Sequence, residues 1–277
     1  MEISLIAFIP ALIWAIAPLL YKDFLVNNSV IKVNFYRMLF ASLFLLFPFF
    51  LFGYNEGIFY GILSGLLTLV VGDSFYLLSI RKVGASIAAP VAYTYVFFSQ
   101  IAAIFLGEEI TYTYFVSSIL ILIGIFILSR GNKKEFRILG IIVALGASLF
   151  WTLGQAMIKL ATIQNMNPMS IAFARTFSAC LILALICLIK DKSLKMRTTK
   201  NKQLLLASIS ISDLALGSSL FILAIALAGL GITIILTSSS PLMTQLIAKF
   251  SGKESPTVKD IIGGSLIIFA LIISLIY

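Results

Sequence analysis

Four ionisable side chains lie inside apolar runs of this chain: Arg37, Asp73, Arg175 and Asp213. On insertion scales a charge placed in hydrocarbon costs about 2.5–3.5 kcal/mol, and it is kept where it faces a bundle interior, finds a partner or handles ions and solutes. Such a set can do reversible chemistry. An aspartate can take up a proton, or a solute can replace a carboxylate on an arginine, and either event opens the pair. Arg37 and Asp73 fall about six and about seven residues from the same end of successive antiparallel runs, which at about 1.5 Å per residue places both roughly 9–11 Å deep. Arg37–Asp73 is therefore the expected pair. Arg175 and Asp213 match less well in depth. The bland alternative is a static polar clamp that fixes helix packing.

A second group could line a solute site. Tyr76, Tyr93 and Tyr95 lie deeper than an interfacial aromatic belt, Trp14 and Trp151 are near mid-span, and Gln155 falls one helical turn beyond Trp151. Buried tyrosine hydroxyls and indole N–H groups need partners. Together with Ser238 and Ser239 these residues form the expected substrate-binding set, an aromatic cavity with a few hydrogen-bonding groups. Packing is the simpler reading for any one of them. Pro90 and Pro241 interrupt two apolar runs, and each removes a backbone donor, from the carbonyls of Ser86 and Thr237 respectively. The Ser238–Ser240 hydroxyls can satisfy freed backbone groups. With Arg37, Asp73, Arg175 and Asp213, the two prolines make up the expected coupling and gating set.

Other features read as structural. Gly57, Gly61 and Gly65 form a small-residue stripe suited to close helix packing. Glu108 and Glu109 precede an apolar run and are expected to favour that helix's own N-terminus. Cys180 and Cys187, seven residues apart on one helix, have Cα atoms roughly 10 Å apart, too far for a disulfide.

The sequence has no histidine, no CxxC and no Asp-x-x-x-Asp run. Histidine-based catalysis, metal binding and proton relays lose their usual residues, so no metal, no cofactor and no enzyme activity is expected. An integral-membrane lipid-modifying enzyme is the alternative reading, and it lacks paired acids or a nucleophile with a base. Proton coupling, if present, would use Asp73 or Asp213.

The elements that must position these residues follow from composition. Of 277 residues, 61% are apolar and 11% charged, which is membrane composition, and helices satisfy the backbone in lipid. Runs of about twenty apolar residues predict ten spans, at 3–21, 31–52, 57–80, 84–106, 112–129, 138–158, 168–189, 203–226, 230–250 and 257–276. Loops after odd-numbered spans hold 17 of the Lys and Arg residues, and the remaining ends hold only Lys159. Basic residues accumulate on the cytoplasmic side, so both termini are expected outside a cell membrane crossed many times. The net charge of +9 is then a topological signal, and no nucleic-acid partner is expected.

The chain also repeats itself. Trp14 is followed eight residues later by Lys22, and Trp151 eight residues later by Lys159; Arg37 follows Trp14 by 23 residues, and Arg175 follows Trp151 by 24. Five spans per copy is an odd number, so the copies must be inverted relative to each other, as in many secondary transporters. The expected fold is all-α integral membrane, with ten transmembrane helices as two inverted five-helix repeats, 1–132 and 133–277.

The Trp-to-Lys first helices, the early arginines of the second helices, and the links FLGEEIT (105–111) and FSGKESPT (250–257) resemble EamA-type transporters of the drug/metabolite transporter superfamily. Lys253 departs from the Gly-Glu pattern of that link, with Glu254 beside it. The resemblance implies secondary active transport, efflux or exchange of a small organic solute or metabolite by alternating access, in a monomer or homodimer.

Overall fold

The computed structural model of the chain describes residues 3–25, 27–83, 88, 91–128, 138–250 and 258–276. Pro90, the 129–137 junction, Lys253 and Glu254 lie outside the described residues. A 3-10 turn at Ile3–Ala7 leads into α1, Phe8–Leu25. Ser29, whose hydroxyl accepts from Lys32 N, caps α2, Val30–Phe52, as short hydroxyl side chains do for free first-turn donors. Asn167 does the same for α8, Pro168–Asp191, with proline in its first turn, where a missing N–H costs nothing.

Two segments read as single spans contain a π-helical stretch. α3, Gly57–Ser64, passes through Gly65–Gly72 into α4, Asp73–Val83. α9, Lys200–Ser210, passes through Ile211–Gly217 into α10, Ser218–Ala228. Each π stretch ends on a glycine, and such bulges are frequent at functional sites. The remaining helices are α5 Tyr95–Phe105, α6 Tyr112–Leu128, α7 Ile138–Ile163, α11 Leu230–Thr237, α12 Ser240–Phe250 and α13 Val258–Ile276. No strand occurs among the described residues. Among the described residues five helical segments are long and apolar enough to cross a membrane, and five further apolar helices are shorter.

Counterpart helices from the two halves run antiparallel. α2 packs along α8, with Phe49 against Phe173 at 4.4 Å and Ser42 beside Cys180. α6 packs along α13, with the Ser117 hydroxyl donating to the Ala270 carbonyl at 2.9 Å and Gly124 crossing Gly263. The Gly57, Gly61 and Gly65 stripe faces the end of α7 and the start of α8, close to Met166, Ala174 and the Arg175 backbone, and a Cβ on Gly65 would have no room. The largest buried cluster gathers Met38, Leu45, Ile158, Leu183, Phe221 and Ile222 where the halves meet. Both cysteines are free and buried.

Candidate functional site

The four charges meet at the crossing of α2, α8 and the two π-bulged segments, but not as paired from the sequence. Arg37 Nη2 donates to Asp213 Oδ2 at 2.8 Å, across the two halves, and Nη1 to Asn34 Oδ1 at 2.8 Å. The Tyr21 ring lies 4.3 Å below the guanidinium, and its hydroxyl donates to the same Asp213 oxygen at 2.8 Å. Arg37–Asp73 is thus corrected to Arg37–Asp213. A shared depth on successive helices does not say which helix faces which. Arg175 does not pair with Asp213 either. Its Nη1 donates to the Ser218 hydroxyl at 2.7 Å. Asp73 accepts from Trp151 Nε1 at 3.0 Å.

Around this cluster the predicted aromatic residues come together. Trp151 contacts Tyr76 at 5.1 Å and Tyr95 at 5.6 Å between ring centroids, and Tyr95 contacts Tyr93 at 5.7 Å. All four remain half-buried. The Tyr95 hydroxyl faces Ser238 and Thr237, and that of Tyr93 faces Ser240. Trp14 Nε1 points at the Asp213 carbonyl at 3.4 Å. Gln155 is buried and its Oε1 has no partner. The chain breaks between α11 and α12 at Ser238 and Ser239, whose hydroxyls donate to the carbonyls of Ile234 (2.6 Å) and Leu236 (2.7 Å). Pro241 falls in the first turn of α12, where it needs no donor. A matching turn at Tyr93 and Thr94 precedes α5.

Glu108 corrects another expectation. It does not serve the helix that follows it but caps α11 in the other half, accepting from Leu230 N at 2.6 Å and Gly231 N at 3.0 Å. Lys159 Nζ meets the same carboxylate at 2.7 Å. Glu108 and Lys159 border a cavity of about 290 Å³ with Glu109, Tyr114 and Ile232. Tyr21, Asn34, Ser218 and Lys159 are thus site residues that sequence reasoning passed over. Of these, Asn34, three residues before Arg37 on one helix face, and Lys159, in the repeated Trp-to-Lys spacing, left a readable signal.

The two halves build the same local contact twice. Trp14 packs on Phe221 with centroids 5.0 Å apart at 53°, and Trp151 packs on Tyr76 at 5.1 Å and 55°. Gly217 lies under the first indole and Gly72 under the second, each closing its π stretch. Residue numbers in these third segments differ by 145, which also matches the turn at 93–94 with that at 238–239.

The profile of the EamA-like transporter family matches this duplication, over residues 1–130 and again over 138–276. The chain belongs to the EamA-like transporter family. A curated relative from Archaeoglobus fulgidus, named only as an uncharacterized transporter, is 27% identical over an alignment covering 98% of this chain and 97% of that one. A solved structure, described as "Crystal structure of protein", superposes with a TM-score of 0.84 over 99% of this chain and 96% of its own, at 14% identity, which bears on the fold alone. This EamA-like chain is therefore a multi-pass membrane protein of a transporter family, built from two family repeats.

Proposed function

We propose that this EamA-like protein is a secondary active transporter that moves a small organic solute by alternating access between two inverted repeats of five spans each. The observation that carries this reading is the doubled tryptophan contact across the halves, beside two arginines and two aspartates of which Arg175 and Asp213 are buried and Arg37 and Asp73 half-buried. Inversion is supported by the antiparallel packing of α2 on α8 and of α6 on α13. It is supported also by the loops. Asn55 donates to the Gln164 carbonyl at 2.7 Å on one side, while Arg197 N donates to Asn28 on the other. The aromatic wall of Trp151, Tyr76, Tyr95 and Tyr93, faced by Ser238, is the solute site. The helix breaks at 93–94 and 238–239 act as hinges, and efflux or exchange is the direction of transport. Both termini lie outside, because the basic loops belong in the cytoplasm.

Two measurements test this. In intact cells, an impermeant maleimide should label Asn55→Cys and spare Ser193→Cys; labelling of both from one side removes the inverted topology. Proteoliposomes should take up one class among labelled amino acids, nucleosides, sugars, sugar phosphates and monocarboxylates, saturably and only with protein present. Protein-independent flux for every class sinks the carrier reading.

A further inference from the structure

Arg37 and Arg175 hold equivalent places in the two repeats and are furnished unequally. Arg37 has the Tyr21 ring, the Asn34 amide and the Asp213 carboxylate. The Trp14/Trp151, Arg37/Arg175 and Gly72/Gly217 matches put Ile158, Ala172 and Thr68 at the corresponding positions of the other copy. None of these carries a charge, and only Thr68 offers a polar group. Arg175 is nonetheless deeply buried, at 4% exposure. Among the described residues its guanidinium donates to Ser218 alone, and its Nε has no partner. Among the described residues no carboxylate lies within 4.0 Å of it. Asp73 is engaged by the Trp151 indole instead.

Other buried polar atoms on the neighbouring helices are also orphaned among the described residues. The buried Thr68 and Ser219 hydroxyls and the Gln155 carbonyl oxygen have no partners. The Arg175 backbone presses on Gly65, one turn before Thr68, and the Thr68 side chain presses on Gly154, the neighbour of Gln155. A buried guanidinium with idle donors is costly, and an anion relieves that cost. A planar fork suits a carboxylate. The Ser218 hydroxyl, which accepts from Arg175 Nη1, keeps its own proton to donate to one, and Thr68 offers a second hydroxyl from the position equivalent to Asp213.

We propose that Arg175, Ser218 and Thr68 form an anion subsite for the carboxylate of a small organic acid, which occupies the position that the Asp213 carboxylate holds on Arg37 in the other repeat. The body of the acid then lies toward the Trp151 and Tyr76 wall. The subsite rests on the carrier reading for its use, whereas its occupancy is measured without transport.

The purified protein is melted, at fixed pH and ionic strength, with acetate, lactate and benzoate, each beside its neutral amide. At least one acid should raise the melting temperature saturably while its amide does not, since only ligands that favour the folded state do so. Arg175→Met should weaken that acid by about 10- to 100-fold, the loss of a charge-assisted bidentate contact. Thr68→Asp keeps the arginine and supplies the carboxylate from within. It should raise the melting temperature of the ligand-free protein and abolish the response to acid. Equal responses to acid and amide, or a wild-type acid response in Thr68→Asp, overturn the subsite, whatever becomes of Arg175→Met. Proteoliposome flux is judged separately: acid-specific stabilisation without any flux keeps the subsite and removes the carrier.

Discussion

Arg37 reaches out of its own repeat to take Asp213 at 2.8 Å, leaving Asp73, the acid of its own repeat, to the Trp151 indole. The cross-repeat bond ties α2 to the π-helical stretch Ile211–Gly217, so the two halves are held together by a charge pair that hydrocarbon would not solvate. Removing one partner of a buried pair leaves the other uncompensated, at about 3–5 kcal/mol.

Asp213→Asn should therefore lower the melting temperature in detergent more than Asp73→Asn does. Asp213 serves Arg37 and Tyr21 together, and Asp73 serves an indole alone. The opposite order of the two variants would mean that Arg37 takes its charge partner from Asp73 after all.

Trp151→Phe and Trp14→Phe keep nearly the same ring packing, at 5.1 and 5.0 Å, and differ in what the indole N–H serves. Trp151 donates to a carboxylate at 3.0 Å, Trp14 to a carbonyl at 3.4 Å. A bond to a charged group is worth about 1.5–3 kcal/mol and a neutral one about 0.5–1.5. Denaturation of the two variants should show the Trp151 change to be costlier by about 1 kcal/mol, and equal losses would deny the Asp73 contact.

The duplication and the buried charges were legible in the sequence because lipid leaves few options: a charge must turn inward, and a tryptophan eight residues before a lysine stands out twice. Which charges touch was not legible. Hydropathy reports how deep Arg37 and Asp73 lie, but contact depends on helix rotation, and both third segments gain extra rotation from π stretches that no residue pattern announced. Ser218 was overlooked because serine is common in membrane helices and its role appears only once Arg175 is seen without an acid. Glu108 was assigned to the nearer helix in sequence, whereas the free donors of Leu230 and Gly231 were nearer in space.

Gly65 and Gly53 should respond differently to alanine. Gly65 meets the Arg175 backbone, which cannot move aside, and overpacking of this kind costs about 1–3 kcal/mol. Gly53 has nothing near its missing Cβ, but its φ of +68° with ψ of −163° is backbone that only glycine adopts readily, at about 1–3 kcal/mol for another residue. Thermal unfolding should show Gly65→Ala clearly destabilised, and a melting temperature equal to the wild type's would mean that α3 and α8 do not approach so closely.

Glu108 joins three elements by one carboxylate: the end of α5, the Lys159 end of α7 and the N-terminus of α11. Under the proposed alternating access, opening on this side breaks it. Glu108→Gln retains acceptor and shape for one backbone N–H but loses the lysine's charge and half the carboxylate's grip on the helix end. The mutation should thus favour the conformation open on this side. Ile232, which borders the cavity behind the latch and is 6% exposed, is a suitable reporter. On an Ile232→Cys background, Glu108→Gln should speed maleimide labelling by about tenfold, the effect of about 1.4 kcal/mol on a two-state equilibrium. Lys159→Met should do the same, because it removes the other half of the pair. Unchanged labelling in both variants, in protein with a normal melting transition, would reduce Glu108 to a helix cap with no part in gating.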